Sequence, residues 1–121
     1  VTEIPEMAWE LIELTTNALT IVYPGARNLA PNLIGDDQTI GIRVTEEPFS
    51  KKLCEMFRKP IVSTSANVSG TKSPAFFDEI AGEIIQAVDY VVNFRRDEKT
   101  PAKASSIIML GVKNEIQIIR E

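Results

Sequence analysis

Apolar and polar positions follow two different periods along this chain of 121 residues. Apolar residues recur every three or four positions over 4–16, 48–57 and 74–86, which predicts three α-helices, and 30–34 fits one helical turn. Short β-branched or alternating runs predict strands over 19–23, 39–44, 61–62, 90–94, 105–110 and 115–120. Gly-Val-Lys-Asn between the last two strands indicates a hairpin. The pattern therefore predicts an α/β fold, a twisted mixed sheet with flanking helices.

The helical stripes also predict which side chains are buried. Trp9 is interpreted as a packing residue of the first helix. The other predicted inward positions are apolar: Met7, Leu11 and Leu14 in the first helix, Phe49, Leu53, Met56 and Phe57 in the second, and Phe77, Ile80, Ala81, Ile84 and Ile85 in the third.

Composition narrows the class of protein. A hydrophobic content of 44% and a charged content of 25% are ordinary for one soluble globular domain, and no apolar run approaches the length of a membrane span. The single cysteine, Cys54, cannot form an internal disulfide, and this favours a protein located in the reducing cytoplasm. The chain has no histidine, so it supplies no Ser-His or Cys-His dyad. A net charge of −4 provides no global basic field for nucleic acid.

The most unusual stretch follows the short run Ile61-Val62. It spans residues 63–70, contains five small polar residues and ends at Gly70. Ser73-Pro74 is typical of the start of a helix. Backbone N–H groups, hydroxyls and an amide in a tight turn form a concavity that accepts a phosphate. An ordinary turn-rich loop is the alternative interpretation. The five residues are Ser63, Thr64, Ser65, Asn67 and Ser69.

Two further features carry charge. Arg43 projects from strand 39–44 on the face opposite its isoleucines, and Gly41 beside it indicates close approach of a backbone or a ligand. A solvated strand arginine is the alternative. Residues 95–104 form a polar segment with four basic residues that could bind a polyanion. Asp97 and Glu98 lower the net positive charge of this segment.

The string Ser-Thr-Ser-Ala-Asn-Val-Ser-Gly, residues 63–70, closely resembles the signature of the YrdC-like family, the L-threonylcarbamoyladenylate synthases. Three more segments resemble family elements in the same order: Gly-Ile-Arg-Val at 41–44, Ala-Ser-Ser-Ile-Ile at 104–108 and Ile-Ile-Arg-Glu at 118–121. Thr16-Asn17-Ala18 departs from the family's Pro-Gly-Pro, and Thr45 replaces a proline. The upstream Lys-x-Arg motif of the family is not in this sequence. Residues 1–121 therefore resemble the carboxy-terminal part of one YrdC-like domain, with an open cleft.

The resemblance implies a reaction. Family members make L-threonylcarbamoyladenylate from L-threonine, bicarbonate and ATP, with Mg²⁺ expected alongside ATP, for threonylcarbamoyladenosine modification of tRNA. This chemistry needs no protein nucleophile, because the carboxylate formed on the threonine amine attacks the α-phosphorus. Without the Lys-x-Arg cations, the isolated chain is expected to be inactive.

The resemblance also assigns residues. It places Ser65, Asn67 and Arg120 on the nucleotide phosphates, Ser105 near threonine, Arg43 in the cleft, and Thr64 and Ser69 in support. For Thr64, Ser105 and Ser106, an ordinary strand-end hydroxyl bonded to backbone remains an alternative. A non-catalytic module that binds double-stranded RNA or tRNA, and a structural or regulatory remnant, are the other functional hypotheses. Exposed sheet surface would favour self-association.

Overall fold

The computed structural model describes residues 1–121. It has three α-helices and four β-strands, with single 3-10 turns at Pro31–Leu33 and Phe77–Glu79. In chain order the elements are α1 (Glu6–Leu14), β1 (Leu19–Tyr23), β2 (Ile40–Arg43), α2 (Pro48–Phe57), α3 (Gly82–Ala87), β3 (Ser106–Leu110) and β4 (Ile116–Arg120). The predicted α/β class is confirmed.

The four strands form one mixed sheet in the order β2-β1-β3-β4. β1 pairs antiparallel with β2 and parallel with β3, while β3 and β4 form the predicted antiparallel hairpin. The parallel pair is possible because a long connection returns the chain to the starting end of the sheet. At that end lie the first residues of β1 and β3 and the last residues of β2 and β4.

Helix α1 covers one face of this sheet. Because side chains alternate along a strand, Ile21 and Tyr23 share that face with Leu110 of β3, and Ala8 of α1 packs against them. These four residues are the buried core, and half-buried Met7, Leu11, Ile12, Leu19 and Ile108 surround it. Burial raises the pKa of the Tyr23 hydroxyl.

Several side chains predicted to be buried are exposed. Leu14 is 81% exposed and Trp9 54% exposed, because α1 ends at Leu14 and only its Ala8 side is buried. The boundaries predicted for α2 are confirmed, but its apolar stripe is between 38% and 73% exposed, and no residue of the helix is buried. A helical period identifies the apolar face of a helix but not what covers it.

The prediction is wrong for parts of residues 57–103. Neither 61–62 nor 90–94 is a strand, because no neighbouring strand hydrogen-bonds to either run. The helix predicted over 74–86 is replaced by the 3-10 turn and the six-residue α3, separated by extended backbone at Ile80 and Ala81. Gly82 at the start of α3 disfavours continuation of a helix through this point.

The chain divides into two compact units. One comprises Val1–Met56 and Ala104–Glu121 and contains α1 and the whole sheet. The other comprises Phe57–Lys103 and contains the Ser- and Asn-rich loop and α3. None of the three helices has both the length and the apolar character needed to cross a membrane.

Candidate functional site

Two of the predicted site residues are in direct contact. Arg120, the last residue of β4, donates from Nε and Nη2 to the backbone carbonyl oxygen of Ser105, at 2.9 and 2.6 Å. Nη2 also lies 3.4 Å from Ser105 Oγ. The guanidinium therefore binds the residue immediately before β3 through two N–H groups, a fork-like contact. The Arg120 side chain is exposed, and its remaining N–H groups are available to other partners.

Thr20 extends this contact across the sheet. Its Oγ1 lies 2.7 Å from Ser105 Oγ, so the two hydroxyls share a hydrogen bond. Thr20 lies in a strand predicted from the sequence, but no functional role was predicted for it. The available signal was its place as the one threonine in an otherwise apolar and aromatic strand.

Arg43 lies opposite Thr20 in the antiparallel β1–β2 pair. Residues directly opposite each other project to the same face of a sheet, so Arg43 and Thr20 share the face opposite α1. Thr20 is also the register partner of Ile107, which is the partner of Arg120. The cluster of Arg43, Thr20, Ser105 and Arg120, called here the arginine–serine cluster, therefore lies along one end of the sheet.

Gly41 leaves room for the side chain of Thr20 on the neighbouring strand. A Cβ at this position would lie 3.3 Å from Thr20 Cγ2. The close approach predicted from the glycine is thus made by a side chain of the neighbouring strand. A larger residue here would press on Thr20 and disturb its hydrogen bond to Ser105.

A cavity of about 250 Å³ opens beside Arg43. Its walls come from the end of α1, the start of β1 and residues 43–47. The two carboxylates in this wall have partners of their own. Glu47 accepts the N–H groups of Phe49 and Ser50 at the start of α2, and Glu46 pairs with Lys51 at 3.0 Å, which raises the pKa of Lys51. Arg43 is the one cation among the residues that line this cavity.

The Ser- and Asn-rich loop is held by its own polar groups. Asn67 Nδ2 donates to the carbonyl oxygens of Val68 and Thr71, both at 3.0 Å, and Thr71 Oγ1 donates to Val68 O at 2.6 Å. Gly70 has φ +85°, the left-handed value that a type II turn requires at its third position. Thr64, Ser65 and Ser69 are exposed.

The structure brings together only some of the predicted site residues. Ser105, Arg120 and Arg43 belong to the unit that contains the sheet, and Ser65 and Asn67 belong to the unit Phe57–Lys103. The shared cavity expected for Ser65, Asn67 and Arg120 therefore stays a prediction.

The basic segment 95–104 uses two of its four cations internally. Arg95 Nε pairs with Glu98 at 3.0 Å. Arg96 donates to the carbonyl oxygens of Val91 and Val92, and its guanidinium lies 5.1 Å from the ring centre of Phe77. The ion pair offsets the charge of Arg95, and the backbone bonds engage N–H groups of Arg96 that would otherwise be available to a polyanion.

The fold and these side chains define an α/β protein with an arginine on each edge strand and two bonded hydroxyls between them at one end of its sheet. The chain belongs to the YrdC-like family, because the family model described as "Telomere recombination", which represents the YciO and YrdC proteins, matches residues 1–121.

Curated relatives carry more specific names. The chain is 42% identical over 77 residues to the threonylcarbamoyl-AMP synthase of Pseudoalteromonas translucida, an alignment that covers 64% of this chain and 41% of the relative. It is 32% identical over 85 residues to the enzyme of the same name from Shigella flexneri, covering 70% of this chain and 45% of that protein. A third, from Photobacterium profundum, is 44% identical over 52 residues, covering 43% of this chain and 28% of the relative.

The chain thus spans less than half the length of these relatives. No solved structure matches the chain significantly.

Proposed function

We propose that this chain forms the carboxy-terminal part of a threonylcarbamoyl-AMP synthase and supplies one side of its nucleotide site. The observation that carries the proposal is the fork from Arg120 to Ser105, with Ser105 bonded in turn to Thr20. The names of the relatives support the same reaction.

The arginine–serine cluster has the chemistry that phosphate binding requires. Arg120 and Arg43 are exposed cations on one end of the sheet. A guanidinium matches the geometry of phosphate oxygens, and here part of the Arg120 fork is fixed to backbone before any ligand arrives. Preorganised donors of this kind stabilise developing charge without reorienting during the reaction.

The proposed substrates are L-threonine, bicarbonate and ATP, with Mg²⁺ entering as part of the nucleotide substrate. The threonine amine and bicarbonate form a carbamate and water, and a carbamate oxygen then attacks the α-phosphorus and displaces pyrophosphate. The chain contributes cations, hydroxyls and backbone donors that hold and align these groups, and no side chain needs to act as a nucleophile. The product would serve tRNA modification in the cytoplasm.

The isolated chain should not complete this reaction. It offers Arg120, Arg43 and the Ser- and Asn-rich loop, while the relatives contain additional sequence of more than half their length. Phosphates bound on one open wall remain in water, where each ion pair is screened and worth little.

Pyrophosphate release tests the proposal. The assay contains ATP, threonine, bicarbonate and Mg²⁺, and it compares this chain with a version extended by the amino-terminal part of the Pseudoalteromonas relative. We expect release from the extended protein only when threonine and bicarbonate are both present, and none from the chain alone. Release that is independent of threonine would contradict the proposed reaction, and equal rates from both proteins would show that the cations are misassigned.

A further inference from the structure

The side-chain hydroxyl of Ser105 is held mainly by Thr20. Thr20 Oγ1 lies 2.7 Å from Ser105 Oγ, an ordinary distance for a hydrogen bond between two hydroxyls. The other contact to this oxygen, from Arg120 Nη2, is 3.4 Å long and therefore weak. The two short bonds from Arg120 go to the Ser105 carbonyl oxygen, so they fix the backbone of Ser105 but not its χ1 angle.

The Thr20 side chain has a fixed direction of its own. Threonine is β-branched, so its χ1 angle has few accessible values. Thr20 Cγ2 lies toward Gly41 of β2, where an added Cβ would be 3.3 Å away, and Oγ1 lies toward Ser105, next to β3. Because β1 lies between β2 and β3, one rotamer directs the methyl group to one neighbouring strand and the hydroxyl to the other. The Thr20 hydroxyl is thus a defined anchor for Ser105.

The pair of hydroxyls can form one further bond. Each hydroxyl carries one hydrogen, and their mutual bond uses one of the two. When Thr20 donates in this bond, the hydrogen of Ser105 is left for another acceptor. Both side chains are half-buried rather than enclosed, so a ligand oxygen can reach them at the end of the sheet.

We propose that Thr20 is a positioning residue for the reaction: it donates to Ser105 Oγ, holds that side chain in one rotamer, and leaves the Ser105 hydrogen for an oxygen of L-threonine. This inference rests on the proposed function, which supplies L-threonine as the ligand. It adds Thr20, to which neither the family resemblance nor the proposed function assigned a role.

The first arm of the test needs no ligand. The Hα–Hβ couplings of Ser105, which report its χ1 angle, are measured by NMR in the chain and in Thr20→Val, which keeps the shape of the side chain but removes the hydroxyl. We expect the values of one staggered rotamer in the chain and averaged values in Thr20→Val. Thr20→Ser, which keeps the hydroxyl, should restore the single rotamer. Unchanged couplings in Thr20→Val overturn the proposal.

A matched control separates this effect from the change of residue type. Thr2→Val makes the same substitution at an exposed threonine of the unit that contains the sheet. It should leave the Ser105 couplings as they are in the unmodified chain. Averaged couplings in Thr2→Val would overturn the proposal, because the rotamer would then not depend on Thr20 in particular.

The second arm measures pyrophosphate release by the extended protein of the preceding section. In Thr20→Val, Ser105 samples three staggered rotamers and occupies the competent one about a third of the time, so the KM for L-threonine should rise roughly threefold. The KM for ATP should not change, because the bonds from Arg120 to the Ser105 carbonyl do not involve Thr20. Thr20→Ser should restore the KM for L-threonine. An equal rise in both KM values would indicate a general structural role and overturn the proposal.

The double variant distinguishes positioning from direct contact. If Thr20 acts through Ser105, adding Thr20→Val to Ser105→Ala should not raise the KM for L-threonine beyond that of Ser105→Ala alone. A further rise would show that Thr20 contacts the substrate itself, and it would overturn the proposal. If the unmodified extended protein releases no pyrophosphate, the proposed function fails, while the Ser105 couplings still decide whether Thr20 fixes the rotamer.

Discussion

Ser105 is the residue on which the candidate site depends. Its carbonyl oxygen accepts from Arg120, and its hydroxyl bonds to Thr20, so one residue connects β4 and β1 at the end of the sheet. The sequence resemblance placed Ser105 near threonine and Arg120 on phosphate. Their contact places these two residues side by side at one end of the sheet, and their roles toward ligands stay a prediction.

Glu98 gives a pH dependence at the residue scale. Its carboxylate accepts the backbone N–H of Thr100 and pairs with Arg95, and these contacts lower its pKa from the ordinary 4.5. Because the pKa is lowered in the folded chain, the contacts are fully present above pH 4.5 and are lost as the pH falls through the lower folded value.

The Thr100 amide resonance reports this titration directly. We expect it to move with a midpoint below pH 4.5, and we expect the movement to disappear in Glu98→Gln, which keeps an acceptor oxygen but cannot ionise. A midpoint at or above 4.5 would show that the contacts do not form in solution.

Among the elements, β1 contributes to both faces of the sheet. Ile21 and Tyr23 pack against α1, while Thr20 on the other face joins the arginine–serine cluster. The alternation along this one strand therefore connects core stability to the geometry of the site.

The core contribution of β1 can be measured. Ile21 is 1% exposed, so Ile21→Ala should lower the free energy of unfolding by about 2–5 kcal/mol, and Ile21→Val by about 0.5–1.5 kcal/mol if the alanine variant does not fold. Ile118→Ala, at a strand residue that is 62% exposed, is the matched control and should lower it by less than about 1 kcal/mol. Equal losses at the two positions in chemical denaturation would place the core elsewhere.

The sequence predicted elements well where their patterns are local and complete. The bounds of β1 and α2 were correct, and the hairpin was recognised from its turn. Runs 61–62 and 90–94 have the composition of strands but lack partners, and pairing is a property of the fold that composition does not reveal. Thr20 was missed for the same reason, because its role depends on Ser105, 85 residues away in sequence.

At the scale of the whole molecule, much apolar surface is exposed. The stripe of α2 and the isoleucines of β4, which are 50% to 62% exposed, are the main examples. Large exposed apolar surfaces are typical of sites that contact another protein chain or another part of the same chain. Self-association of the isolated chain stays a prediction, and the additional sequence in the longer relatives is an alternative occupant of this surface.

Titration of the isolated chain with ATP, followed at each backbone amide by NMR, tests the central claim most directly. We predict weak but saturable binding, with the largest shifts at Arg43, Ser105 and Arg120. Arg120→Lys keeps the charge but loses the two hydrogen bonds to the Ser105 carbonyl, so the dissociation constant should rise roughly three- to tenfold. Arg58→Lys, at an exposed position just after α2, should leave it unchanged. The absence of saturable shifts, or shifts confined to the basic segment 95–104, would contradict the assignment of the nucleotide site.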